Sequence, residues 1–162
     1  VIVVADTTPL LYLSRVGHVE LLRVLYQQLI VPATVWQEVV GARPDAPGVD
    51  LLRSAPWIVV SDRAERAGVE PALEEALDAG EAAAITLAEL LSASVLLIDE
   101  RKGRAVARAR GLTVRGTLGV LVEARRLGHI ASLRIAIDAL RAQGFGVAPV
   151  LVSEALRQVG EE

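Results

Sequence analysis

Cysteine is absent from this 162-residue chain. That removes disulfides, thiolate nucleophiles and cysteine-based zinc sites together. His18 and His129 are the only histidines, and neither has a neighbour at metal-ligand spacing, which argues against imidazole-based zinc chemistry as well. Any metal would have to sit on oxygen ligands, which selects a hard cation such as Mg²⁺ or Mn²⁺. Aromatic residues are 3% of the sequence while 52% is apolar, so a core must be built from Val, Leu, Ile and Ala. No apolar run approaches the roughly 20 residues that span a bilayer. The Val1–Ala5 run is too short for the apolar region of a signal peptide and has no basic lead-in. These absences predict a soluble, cytoplasmic protein with no membrane partner. The length fits a single domain over residues 1–162 with one good hydrophobic core. A net charge of −3 gives no general affinity for nucleic acid, so any such activity needs a local basic patch.

What is present alternates between strand and helix. Val1–Ala5 is a continuous apolar run, as expected of a parallel strand covered on both faces. After Asp6, Thr7-Thr8-Pro9 opens a helix over Leu10–Arg15, with Thr8 as N-cap, Pro9 in the first turn and Gly17 as the stop. A short helix over Val19–Tyr26 leads into the strand Leu29–Val31. Thr34 and Gln37 have capping-box spacing, predicting a helix from Val35 to Val40. Residues 41–48, with Pro44 and Pro47, read as a loop, followed by a helical turn at Leu51–Ser54 and the strand Trp57–Val60. Another loop precedes a helix over Pro71–Leu77. Asp78 and Glu81 then lead into Ala82–Leu91, the clearest amphipathic helix. Ser94–Ile98 is a second strongly apolar strand and ends in Asp99. Arg101–Arg110 is a basic helix, Leu112–Val114 a last short strand, and Thr117–Leu127, Ser132–Gln143 and Pro149–Val159 are helices. This order argues for a mainly parallel sheet wrapped on both faces, with the helices over about 132–159 packed on it. In such folds, function gathers at the carboxyl ends of the strands.

Asp6 and Asp99 both stand at strand ends. Each has a structural alternative as a helix cap, worth about 1 kcal/mol. Two such carboxylates in one small sheet would repel each other, and a divalent cation between them turns that cost into affinity. Glu81 lies in the first turn of its helix, where the dipole favours a negative charge, and the competing role is a capping box with Asp78. Glu38, between Trp36 and Val39, reads by itself as an exposed helix glutamate. Directly after Asp99 come Arg101, Lys102, Arg104, Arg108, Arg110 and Arg115 with no acidic residue among them. Such a run is commonly a solvated helix face, yet beside a carboxylate pocket it would hold a phosphate chain. Together these features point to phosphodiester hydrolysis, with carboxylates binding metal and arginines holding the backbone. An aspartyl phosphatase would want a second Asp where Thr8 stands. A receiver-like domain would want a lysine late in the fold, and Lys102, the only lysine, follows Asp99 too soon.

Four segments carry a family resemblance: Val-Ala-Asp6-Thr-Thr-Pro-Leu, Val31-Pro-Ala-Thr-Val-Trp-Gln-Glu38-Val, Ala79-Gly-Glu81-Ala-Ala-Ala-Ile and Leu97-Ile-Asp99-Glu-Arg-Lys-Gly. In this order they resemble PIN-domain proteins. Asp99-Glu-Arg-Lys-Gly-Arg and Gly116-Thr-Leu-Gly119 are similar to a PIN-like branch related to the toxins of VapBC-type toxin–antitoxin pairs. The resemblance implies an α/β/α sandwich acting as an Mg²⁺- or Mn²⁺-dependent endoribonuclease, commonly homodimeric and often held inactive by a small antitoxin protein. Carried over, Asp6, Glu38, Glu81 and Asp99 would be the acidic site, with Asp6, Glu81 and Asp99 on the metal. Thr7 or Thr8 would orient Asp6, and Arg101, Lys102 and Arg104 would bind RNA. Many PIN nucleases carry a further acidic residue just beyond the position of Asp99. Here Arg101, Lys102, Gly103 and Arg104 occupy those places, and Thr117 is a polar candidate for that side of the pocket. The alternative is an inactive PIN-like module that binds RNA or protein.

Overall fold

The computed structural model describes residues 1–162. Five strands form one all-parallel sheet: β1 (Val3–Ala5), β2 (Leu29–Pro32), β3 (Ile58–Ser61), β4 (Val95–Leu97) and β5 (Val114–Arg115). Their spatial order is β3-β2-β1-β4-β5, so β1 is central, with Val4 opposite Ile30 of β2 and Leu96 of β4. Parallel neighbours need crossovers, and helices supply them: α1 (Thr7–Arg15), α2 (Glu20–Tyr26), α3 (Ala33–Trp36), α4 (Val49–Arg53), α5 (Arg63–Ala67), α6 (Pro71–Ala76), α7 (Ala79–Leu90), α8 (Arg101–Ala109), α9 (Thr117–Arg126), α10 (Leu133–Ala142) and α11 (Pro149–Gln158).

The strand period of two divides the core. Val3, Ala5 and Leu97 point to the larger cluster, which includes Leu10 and Leu13 of α1, Leu22 of α2 and Leu121 of α9. Val4, Leu96 and Ile98 point the other way, onto Leu73 of α6, Ile85 and Leu87 of α7 and Ala107 of α8. The result is an α/β/α sandwich with the sheet in the middle layer. Helices α10 and α11 extend the first layer, burying Leu133, Ile137, Leu140 and Leu156 in the larger cluster. Glu161, beyond α11, ties the two together: it accepts from the Leu133 and Arg134 N–H groups at 2.6 and 3.1 Å and from Arg125 at 3.0 Å. No helix is long and apolar enough to cross a membrane.

Three local expectations are corrected. Helix α1 begins at Thr7, so Asp6 and not Thr8 occupies the N-cap position, and the Asp6 side chain makes no capping bond. Thr34 is already inside α3, and its N–H and hydroxyl both donate to Glu65 Oε2, at 3.0 and 2.8 Å. A long-range carboxylate has replaced the local cap, and that carboxylate belongs to α5, a stretch expected to be loop. After α3 the chain widens into a π-helical turn over Gln37–Gly41, where the Ala42 N–H reaches back to Gln37 O at 2.7 Å.

The connection order places the site. From β1 the chain builds β2 and β3 on one side, then returns to lay β4 and β5 on the other. The crevice between the carboxyl ends of β1 and β4 is therefore the switch point, where open parallel sheets gather ligands. Asp6 follows β1 directly, and its N–H donates to Leu97 O of β4 at 2.9 Å.

Candidate active site

Asp6 is 3% exposed, and its Oδ1 is buried with no hydrogen-bond partner. Orphaned buried carboxylate oxygens are rare and ask for an explanation. Burial is the largest cause pushing the Asp6 carboxyl up to about 8; the Thr7 backbone N–H opposes the rise, while the charges of Glu81, Asp78 and Glu38 add to it.

Glu81 is brought beside it by the start of α7. The capping box does form: the Glu81 N–H donates to Asp78 Oδ1 at 2.8 Å and the Asp78 N–H donates to Glu81 Oε1 at 3.1 Å. This fixes the Glu81 side chain through Oε1 alone. Its pKa is also raised, chiefly by burial, against the pull of the Asp78 N–H. Oε2 faces α8, where a Cβ added to Gly103 would stand 3.4 Å from it and 2.8 Å from Ile98 Cδ1. Glycine at 103 thus lets α8 close over Glu81.

Glu38 comes from the π-helical turn, an irregularity that recurs at functional sites because it re-aims side chains. The Thr7 hydroxyl donates to Glu38 Oε2 at 2.8 Å. On its other side Glu38 lies against α7, where a Cβ at Gly80 would stand 2.9 Å from Oε1. Expected as an exposed residue on its own pattern, Glu38 is half-buried and inward, held by Thr7 from 31 residues away. The Thr7 hydroxyl therefore serves Glu38, while its backbone N–H acts on Asp6.

Asp99 behaves differently. Its Oδ1 accepts from the Thr117 N–H at 2.8 Å and its Oδ2 from the Thr117 hydroxyl at 2.6 Å, so it lies across the N-terminus of α9. A negative charge is favoured there by the helix dipole and the free N–H groups. Burial raises its pKa, while Thr117 and the Arg104 guanidinium act to lower it. The charges that raise Asp6 most are those of Glu81, Asp78 and Glu38. No three carboxylate or histidine side chains converge tightly enough to make a finished ligand set.

Of the basic residues, Arg104 is half-buried beside Asp99 and donates to Ile98 O at 3.0 Å. Arg101 is exposed at the rim of a cleft of about 840 Å³ that opens next to Asp99, and Thr8 lines the same cleft. Lys102 is exposed outside that lining. Sequence reasoning missed Asp78 as a source of charge on Asp6. It also missed Arg126 and Phe145 in the cleft wall, which carry no local signal because they arrive from the C-terminal layer.

Fold and crevice together define a three-layer α/β domain whose carboxylates gather at the switch point of a parallel sheet. A family model described as a PIN domain matches residues 2–161, and the chain belongs to the PIN-domain family. PIN domains are in general nucleases that use divalent metals and bind RNA. No curated protein and no solved structure shows significant similarity to the chain.

Proposed function

We propose that this chain is an endoribonuclease dependent on Mg²⁺ or Mn²⁺, working from the crevice between β1 and β4. The observation that carries the reading is Asp6: a buried carboxyl with an orphaned oxygen, at the switch point, pressed by neighbouring carboxylates. A group in that position is costly without a cation to neutralise it. The donor set fits a hard divalent ion, since every candidate atom is a carboxylate oxygen. Asp6, Glu81 and Asp99 would hold the ion, with Glu38 completing the acidic site. When bound, such an ion supplies Lewis acidity at the scissile phosphate.

The chain's own residues do the rest. Thr7 orients Glu38, the Asp78 box orients Glu81, and Thr117 orients Asp99. Buried Asp6 holds a proton at neutral pH when nothing neutralises it. Arg101, Lys102 and Arg104 supply positive charge for the RNA backbone. By its likeness to VapBC-type toxins, the chain is the toxin half of a toxin–antitoxin pair, cytoplasmic, homodimeric and restrained by a small antitoxin protein.

A second reading, an inactive module for RNA or protein, draws on the unfinished ligand set and on Arg101, Lys102, Gly103 and Arg104, which stand where the family resemblance implies a further acidic residue. Incubation with a mixed RNA pool in Mn²⁺, Mg²⁺ or EDTA, beside an Asp6→Asn/Asp99→Asn variant, separates them. Metal-dependent cleavage that vanishes in the variant is expected. Equal inertness of both proteins, with no Mn²⁺ binding by calorimetry, would leave only the binding module.

A further inference from the structure

Of the cations on α8, one is built into the crevice and the others are not. Arg101, Lys102 and Arg108 are exposed, so water and salt weaken their fields over a short distance. Arg104 is half-buried on the same helix, and its Nη1 donates to Ile98 O at 3.0 Å. The preceding carbonyl, Leu97 O, accepts from the Asp6 N–H at 2.9 Å. Asp6 and Arg104 are thus fastened to consecutive carbonyls at the end of β4, and Asp99 is the next residue of the chain.

Burial, and then the Arg108 charge, work against the charge of Arg104, while Asp99 favours it. Yet Arg104 forms no ion pair with Asp99 or with any other carboxylate. Asp99 commits both of its oxygens to Thr117. What lets the two groups approach is the missing side chain at Gly116: a Cβ there would stand 2.8 Å from Asp99 Oδ1 and 3.0 Å from Arg104 Nη1. Most of the Arg104 N–H donors are left without a partner in the chain. A fixed guanidinium with donors to spare, at the switch point of the sheet, suits an anion that comes and goes. The crevice therefore has two unlike ends. The orphaned Asp6 Oδ1, with Glu81 and Glu38 near it, calls for a cation, and Arg104 is a cation already in place.

Hydrolysis of a phosphodiester joins a water oxygen to phosphorus and breaks the bond from phosphorus to a ribose oxygen. That oxygen leaves with the electron pair and receives the proton that the water gives up. Negative charge builds on the phosphate oxygens in between, and the reaction gains from positive charge on more than one side of them. We propose that Arg104 is a catalytic residue that supplies one of these charges by donating to a phosphate oxygen at the scissile bond, so that one divalent ion per chain suffices. The inference rests on the nuclease reading. It goes further by fixing the number of ions and by separating Arg104 from the exposed residues that only hold the strand.

The test pairs two measurements on wild type, Arg104→Ala and Arg104→Lys, with thermal melts to verify folding. One is calorimetric titration of the metal-free protein with Mn²⁺; the other is steady-state cleavage of a labelled RNA oligonucleotide that the wild type cuts. The wild type is expected to bind one Mn²⁺ per chain. Arg104→Ala should bind Mn²⁺ about threefold more tightly, because a like charge has been removed from near the ion. It should lose about a hundredfold in kcat with little change in KM. Arg104→Lys keeps the charge without the planar fork, so its Mn²⁺ affinity should match wild type and its kcat should fall between the two. If the alanine variant does not fold, the lysine variant decides: a wild-type kcat overturns the proposal. Weaker Mn²⁺ binding by Arg104→Ala would make Arg104 a mere support for Asp99, and a raised KM with unchanged kcat would make it a strand holder. Either result overturns the proposal, as do two Mn²⁺ per wild-type chain, and all of these leave the nuclease standing. No cleavage of any RNA by the wild type in Mn²⁺ removes the nuclease reading and this inference with it.

Discussion

Replacing Asp6 by Asn should stabilise the metal-free protein, and the gain should grow with pH. A carboxyl whose folded pKa is raised binds its proton more tightly in the native state than in the unfolded chain. It carries no penalty below the unfolded value of 3.8, loses stability as pH rises from there, and reaches a constant cost above about 8. Each pKa unit corresponds to about 1.4 kcal/mol. Ionising Asp6 between pH 5 and pH 9 therefore removes up to roughly 4 kcal/mol, less whatever local relaxation and water entry recover. Asparagine abolishes the titration, but leaves an amide in the same pocket at a cost of about 1–3 kcal/mol. The net advantage of Asn should be small near pH 5 and of order 2 kcal/mol at pH 9, a difference of roughly 4–8 °C in melting temperature for a chain of this size. Scanning calorimetry in EDTA at pH 5, 7 and 9 reads this directly. Adding Mn²⁺ should reverse the order, since a ligand at a hundred times its Kd stabilises the native state by about 2.7 kcal/mol, and the variant lacks the carboxylate to bind it. Parallel pH profiles for the two proteins would refute the assignment of Asp6 as a buried, uncompensated carboxyl. An equal response to Mn²⁺ would refute its role at the metal.

Three further outcomes follow from the same geometry. Thr117→Val, which removes the hydroxyl on Asp99 Oδ2, should cost about 1.5–3 kcal/mol by denaturant unfolding and raise the Asp99 pKa, visible by NMR titration; Thr117→Ser should restore both. Gly80→Ala puts a methyl 2.9 Å from Glu38 Oε1, so RNA cleavage should fall at least tenfold while the melting temperature changes by only a few degrees; unchanged cleavage would remove Glu38 from the site. Glu161 titrates below the usual range, because although burial raises its pKa, the Leu133 and Arg134 N–H groups with Arg125 and Ser132 lower it further. Its stabilisation is present above the unfolded pKa and lost as pH falls through the folded one, so Glu161→Gln should cost about 1–2 kcal/mol at pH 7 and less at pH 3, by urea unfolding at the two pH values.

The alternation of elements, and the residues on which chemistry could rest, were written in local patterns. The central strands β1, β2 and β4 were legible as apolar runs, because a parallel strand buried on both faces has little room for polar residues, whereas β3 leaves Val59 and Val60 exposed and β5 includes Arg115. The Asp78–Glu81 box was legible because both partners lie within one helical turn. Asp6 and Asp99 stood out as single carboxylates ending such runs. The C-terminal helices were bounded by their own cap and stop residues, as Ser132 shows by accepting from the Ile135 N–H. Where a local pattern had a long-range competitor it misled: Thr34 was given to Glu65, and residues 63–67 became a helix.

Which carboxylates meet depends on the packed fold. The strand order sets β1 beside β4, and that order depends on how the helical layers cover the sheet, not on any segment alone. Glu38 could not be told from a surface glutamate until Thr7 and the bare face of Gly80 took it inward. Asp99 looked equivalent to Asp6, yet folding turned it onto Thr117 at the N-terminus of α9 and left Asp6 with the orphaned oxygen. The cleft formed when Phe145 and Arg126 arrived from the C-terminal layer, far along the chain from Tyr12 and Asp99. Helix caps and side-chain period act over a few residues and can be read in order, whereas the approach of distant groups such as Thr7 and Glu38 is fixed by packing the whole core at once.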